Sequence, residues 1–323
     1  MDVYGTSLKL SEYFAWIEND FGLALNVLNE FSMYFAVALC AIEIAVGVML
    51  LYGVFRKVSA IATLLIIIPF TILTSIMAFS FSGVNDCGCF GDAIKISNEA
   101  TFIKNILLLF LSGINIFFVF KYKQKNLLYE KWMLLYIIVF SVAVPLYAAV
   151  FLPAYDFLQF NRGANLKTNE DFTIYSKDIV NVKDSFFNYE DVLIAVITQN
   201  KLEFAEVKQI DKLSKLNKNR YAKICVLSSV AQPEIEDTEL YYVDGVTLKS
   251  MIRATNGIIL ILNGTIAGKW KFNNFKIKEY NQKEIERIAK NQKCLPYIYF
   301  TTIIVVLVIG YVIKLYCDKK QKT

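Results

Sequence analysis

Five apolar stretches, residues 31–55, 58–79, 102–122, 132–151 and 296–316, decide most of what this chain can fold into. Each reaches the roughly 20 residues that a helix needs to cross a hydrocarbon layer of about 30 Å. Inside lipid every backbone polar group must be satisfied within the segment, so helices are dictated rather than open strands. Composition agrees, with 56% hydrophobic residues and a mean hydropathy of +0.43, far above a soluble average. The sequence predicts an α-helical polytopic membrane protein that contacts the lipid bilayer.

The gaps between the stretches carry charge. Arg56 and Lys57, then Lys121, Lys123, Lys125 and Lys131, then Lys314, Lys319, Lys320 and Lys322 fall on one side if each stretch crosses once. The other side has Lys9 and Lys95 with Asp2, Glu12, Glu18, Asp20, Asp86, Asp92 and Glu99. Basic residues concentrate in the cytoplasm. This orients residues 85–92 and 153–294 outward, in a protein of the bacterial inner membrane. Residues 1–27 are amphipathic and read as an interfacial segment; a sharper reading is that a span upstream of them is missing. Residues 28–152 then form a membrane domain of four spans, and 295–323 a last span with a basic cytoplasmic tail.

Residues 153–294 are polar enough to fold in water. "DVLIAVIT" (191–198) reads as a buried strand. Phe204, Val207, Ile210, Leu213 and Leu216 recur at helical spacing. "AKICVLS" (222–228) is a second strand, "TLKSMIRA" (247–254) a helix, and "IILIL" and "IAGKW" flank Asn263-Gly264, a strong hairpin signal. "QKEIERIAKNQ" (282–292) closes the segment as a helix. The order β-α-β-α-β-β-α is that of a thioredoxin-like core. After its first strand, where a redox CxxC would open the helix, the chain has "TQNK".

The chain contains no histidine, which removes histidine-ligated haem or zinc and any Ser-His-Asp or Cys-His pair. Nothing beyond a net charge of +5 suggests nucleic acid. The chemistry concentrates in "NDCGCFGD" (85–92). Cys87 and Cys89 are one glycine apart, and the outward orientation puts them where disulfides persist. A disulfide closing so small a ring is strained and easily reduced. The alternatives are an inert staple or free thiols; zinc held with Asp86 and Asp92 is weaker, and no metal is expected. The two flanking aspartates disfavour a thiolate, and either cap the turns or relay protons.

Glu43 is the one ionisable residue deep inside a span, and such a carboxylate marks function by default. It shares a helical face with Cys40 and Gly47. Lys104 and Asn105 open the third span, Ser112 and Asn115 follow at near-helical spacing, and Thr71, Thr74 and Ser75 add hydroxyls. Together these could line a pocket for a quinone head group, with Glu43 and Asn105 as its polar contacts. For the hydroxyls and Asn115, hydrogen bonding between helices is the simpler reading. Cys225 reads as a buried small hydrophobe, and Cys294 as a possible exchange partner.

"CAIEIAVGVMLLYGVFRK" followed by "DCGCFGDAIKISNEATFIKN" resembles the MauE/DoxX-like family of redox-associated membrane proteins, in its longer bacterial type with a C-terminal extracytoplasmic domain. "LPAYDF" (152–157) and "LKSMIRATNGIILILNGTIAGKW" (248–270) also look like family blocks. The resemblance implies a four-helix DoxX-like bundle working with redox or disulfide-linked partners. It implies a redox role for Cys87 and Cys89, and makes Glu43 the family's intramembrane acid. MauE-type members are associated with maturing a disulfide-rich dehydrogenase, and DoxX-type members with quinone-linked sulfur oxidation. The chain departs from the pattern twice. The first family helix should precede "DVYGTSLKL", where Met1 stands, and "ATNG" puts Asn256 where the family's proline is expected.

The expected function is thiol–disulfide exchange with a periplasmic thiol or disulfide protein, passing electrons to quinone. The alternative is a non-enzymatic assembly or maturation factor for a disulfide-containing redox protein. A transporter built on Glu43 is disfavoured, because no inverted repeat or paired broken helices are visible.

Overall fold

The structure, a computed structural model, describes residues 2–22, 26–79, 97–122, 130–153, 155–188, 192–217 and 221–320. The predicted Cys87, Cys89, Asp86 and Asp92 lie outside the described residues. The chain divides into two compact units, Met1–Val150 with Thr301–Thr323, and Phe151–Phe300.

The first unit holds α1 (Val3–Phe21), α2 (Asn26–Glu30), α3 (Ser32–Tyr52), α4 (Arg56–Phe79), α5 (Asn98–Lys121) and α6 (Glu130–Val150). Short-range chemistry sets their ends. The Asp2 carboxylate accepts from the Gly5 amide at 2.8 Å and caps α1, which ends at Gly22 with φ of 66°. Gly53 ends α3 the same way at φ of 65°. The helices α3 to α6 and the last helix are long and apolar enough to cross a membrane. Much of their apolar surface faces outward, including Leu65, Ile103 and Phe110, as a lipid-facing surface requires.

Within α1, part of the segment expected to be interfacial, Val3, Tyr4, Tyr13 and Trp16 are buried in this unit. Val3 packs with Ala36, Cys40 and Ala148, while Tyr13 and Trp16 pack on Met77. Asn105 Nδ2 donates to Thr74 Oγ1 at 3.1 Å and to the Phe70 carbonyl at 3.4 Å, tying α5 to α4. Thr71 and Thr74 donate to the carbonyls of Ile67 and Phe70 in their own helix.

The second unit begins with residues 151–153 and 155–182 in turns, bends and isolated bridges. There follow α7 (Lys183–Asn188), β1 (Val192–Thr198), α8 (Phe204–Leu216), β2 (Lys223–Ser228), β3 (Glu239–Tyr242), α9 (Gly245–Met251), β4 (Asn256–Leu262), β5 (Thr265–Lys271) and α10 (Gln282–Lys320). The sheet order is β3-β2-β1-β4-β5; β1, β2 and β3 run parallel, and β4 and β5 run antiparallel.

The unbroken apolar run of β1 is explained by its central place, because both its faces are buried. Leu193, Ala195 and Ile197 face one core with Phe160, Phe172 and Leu248. Val192, Ile194 and Val196 face the other with Ile210 and Leu213 of α8 and Ile285 of α10. The Asn263-Gly264 turn forms as expected, with φ of 50° and 78°.

Three expectations differ. Phe204 is 85% exposed and Leu216 42%, being the first and last residues of α8. The strand β3 is added to the predicted order. The helix at 282–292 and the span at 296–316 are one helix, with residues 282–300 in the second unit and 301–320 in the first. Pro296 removes one ladder hydrogen bond and leaves the turns on either side intact.

Candidate functional site

The first unit contains a cavity of about 220 Å³ lined from four helices. From α1 come Thr6, Lys9, Leu10 and Tyr13; from α3, Leu39 and Glu43; from α4, Ile66, Ile67 and Phe70; and from α5, Lys104, Asn105 and Leu108. Each set follows from helical spacing, since residues three or four apart share a face. The structure therefore brings together Glu43 and Asn105, the two intramembrane residues singled out in the sequence.

Their roles separate. Asn105 is buried, and its amide hydrogens go to Thr74 and Phe70, so it presents only its carbonyl oxygen to a ligand. Its main work is to hold α5 against α4. Glu43 is accessible and Lys104 half-buried, which gives the cavity one carboxylate and one ammonium from facing helices. Lys9 adds a second cation and is paired with Glu12 at 2.8 Å. Sequence reasoning missed the contribution of α1, although Thr6, Leu10 and Tyr13 share a helical face and were there to be read. Chemically the cavity offers a carboxylate, an ammonium donor and an aromatic and aliphatic wall. Cys40 is buried among Val3, Ala36 and Ala148 and does not line it.

In the second unit the position where a redox helix would open is closed by hydrogen bonds. Thr198 Oγ1 lies 2.6 Å from the Asn200 carbonyl and 2.8 Å from Asn256 Oδ1, two acceptors that share its one hydrogen. Asn256 Nδ2 in turn donates to Glu206, whose other oxygen accepts from the Glu203 amide at 2.9 Å. Asn256 thus fastens β4 to the start of α8. Cys225 is fully buried in β2, and burial pushes its thiol up to about 12, which leaves it unreactive. Cys294 is an exposed free thiol.

A second group escaped the sequence reading. Lys269 of β5 is 3% exposed and pairs with Asp156 at 2.6 Å. Burial pulls its ammonium down to about 8, Asp156 opposes the shift, and the charges of Arg162 and Arg253 add to it. Nothing in "IAGKW" distinguishes this lysine from a solvated one.

Among the described residues no cluster of acids and cysteines could hold a metal ion. Residues 10–118 match the family model of the methylamine utilisation protein MauE, a window that includes Glu43, Lys104, Asn105 and the Cys-Gly-Cys sequence. Protein TlpB of Flavobacterium psychrophilum is 34% identical over 98 residues, covering 30% of this chain and 27% of that protein. No solved structure matches the chain. Most of the cavity lining and the Cys-Gly-Cys sequence thus fall in one matched region, residues 10–118, which is similar to MauE, within a multi-pass membrane protein.

Proposed function

We propose that this chain carries out thiol–disulfide exchange on the outer face of a bacterial inner membrane and passes the electrons into the bilayer. The observation that carries this reading is the cavity joining Glu43, Lys104 and Asn105, within the same MauE-matched segment as Cys87 and Cys89. The excess of basic residues on the opposite side supports the outward orientation.

In the exchange, a thiolate of a periplasmic partner attacks the Cys87–Cys89 disulfide and forms a mixed disulfide. The second partner thiol attacks the partner's own sulfur in that bond. The partner leaves oxidised, and Cys87 and Cys89 are left as a dithiol. Asp86 and Asp92, which flank the pair in sequence, would relay its protons.

The donor set fits a quinone head group. A bound quinone would supply the acceptor for two electrons and two protons. Lys104 would hold the head group through an ammonium hydrogen bond, Glu43 would hold or release a proton at its carboxylate, and the apolar wall would exclude water. Asn105 contributes its carbonyl oxygen and the rigidity of α5. The Cys89→Ser variant tests the exchange. Run in reverse with an oxidised partner, its Cys87 thiolate attacks the partner disulfide, and without Cys89 to resolve it the mixed disulfide should accumulate until reductant releases it; a variant that never forms this adduct, while the wild type cycles, contradicts the reading.

A second reading has its own observation. The parallel β1-α8-β2 unit joined to the β4-β5 hairpin and a closing helix supports a thioredoxin-like domain, yet Thr198, Asn256 and Glu206 fill its redox position. Such a domain docks rather than reacts, as an assembly or maturation factor would. Replacing both Cys87 and Cys89 with serine separates the readings: undiminished partner maturation favours the factor.

A further inference from the structure

The two edges of the sheet are covered unequally. Along β5, residues 163–166 pair with the outer edge: Gly163 donates to Ile266, Ile266 to Ala164, and Leu166 to Gly264, all at 2.8–2.9 Å. Along β3 the cover is one residue long. Tyr175 and Tyr242 exchange both backbone hydrogen bonds, at 2.9 and 2.8 Å, as an antiparallel pair. Were that pairing to continue, residue 177 would face Leu240. Instead the chain folds back, with Ser176 donating to the Val180 carbonyl at 2.9 Å and Ile179 to Ser176 at 3.0 Å.

Backbone groups alternate along a strand, so Leu240 presents its N–H and C=O to the same outer edge as Tyr242. Neither has a backbone partner on that edge among the described residues. Beside them lies a cavity of about 640 Å³, bounded by Lys177, Asp178, Pro233, Glu236, Leu240 and Tyr241. Its lining carries Asp178, Glu234, Glu236 and Glu239 against Lys177 alone. Lys177 pairs with Glu234, and Lys223, outside the lining, pairs with Glu239, each at 2.8 Å. Asp178 and Glu236 are exposed and in no ion pair among the described residues.

We infer that this groove docks an extended, basic segment of a partner protein, which adds as a strand beyond Leu240. Backbone hydrogen bonds supply affinity in this mode, and the side pockets and charge supply selectivity. The exposed carboxylates of Asp178 and Glu236, the latter also within electrostatic reach of Lys215, select lysine or arginine, and they repel an anionic lipid surface. The inference does not depend on the thiol chemistry of Cys87 and Cys89.

The test uses the full chain in neutral detergent and three ten-residue probes. These are an alternating Lys–Val peptide, its Glu–Val counterpart, and the Lys–Val peptide N-methylated at alternate residues. The Lys–Val peptide should bind about tenfold or more tightly than the Glu–Val peptide and weaken with salt. N-methylation should lose that gain, and hydrogen exchange at the Leu240 amide should slow on binding. The double variant Asp178→Lys, Glu236→Lys, changed only at exposed positions, should weaken Lys–Val binding about tenfold. Equal binding of the acidic or N-methylated peptide, unchanged exchange at Leu240, or a variant that binds like wild type would overturn the inference. So would a groove that takes up calcium ions and no peptide.

Discussion

Lys269 and Asp156 stand 113 residues apart in sequence and 2.6 Å apart in space. Removing one partner of a buried pair leaves the other charge uncompensated, so Lys269→Met should destabilise the second unit by about 3 kcal/mol. Adding Asp156→Leu should recover most of the loss. Urea unfolding of the full chain, followed by Trp270 fluorescence, measures both. The pH dependence has a definite sign. Folding lowers this lysine from its ordinary 10.5 to about 8, so between those values the unfolded chain holds a proton that the folded chain lacks. The margin of wild type over Lys269→Met should therefore be flat below pH 8 and widen from 8 towards 10.5. A margin that narrows across that range contradicts the assignment. Glu43 is the converse case for legibility. One acid in a run of apolar residues announces itself, whereas a lysine in an alternating strand does not. Glu43→Gln should leave the Cys89→Ser adduct intact and slow reoxidation of the Cys87–Cys89 pair about a hundredfold, the scale of a lost proton-transfer group. Unchanged reoxidation would remove Glu43 from the route.

Elements were legible where local chemistry decides them. Asn263-Gly264 supplies the positive φ that a two-residue hairpin demands, and β1 is apolar because both its faces are covered. The four-residue β3 was not legible, since "ELYY" is too short to show a period and owes its place to pairing with β2. The continuity of α10 was hidden by Pro296. Its spanning half is held by long-range contacts that no local pattern encodes. Tyr52 Oη donates to the Leu307 carbonyl at 2.7 Å, Tyr136 Oη to Val306 at 3.1 Å, and Lys314 Nζ to Tyr52 at 3.0 Å. Gly310 permits this approach, because a Cβ there would lie 2.8 Å from Tyr52 Oη and 3.0 Å from Tyr136 Cζ. Gly310→Leu should push the helix away from α3 and α6. The distance between spin labels at the exposed positions 51 and 308, which leave Tyr52 in place, should then lengthen; an unchanged distance would show that the contact is not set by Gly310.

At the scale of the whole molecule, the five spans follow from length and hydropathy alone, and they are the part of the fold read best from sequence. The cavity is a whole-molecule feature too, because its charged and polar lining comes from helices whose neighbours no single stretch reveals. The proposed redox role rests on Cys87 and Cys89 with their flanking aspartates, which lie outside the described residues. The most direct measurement is a redox titration of that pair in sealed, outside-out vesicles, read by a membrane-impermeant maleimide. The variant used would have the other four cysteines replaced by serine. The account predicts that the pair opens and closes reversibly and takes up two labels from outside once reduced. Labelling only after the inner face is exposed, or a pair that stays in one state at every potential, would contradict it.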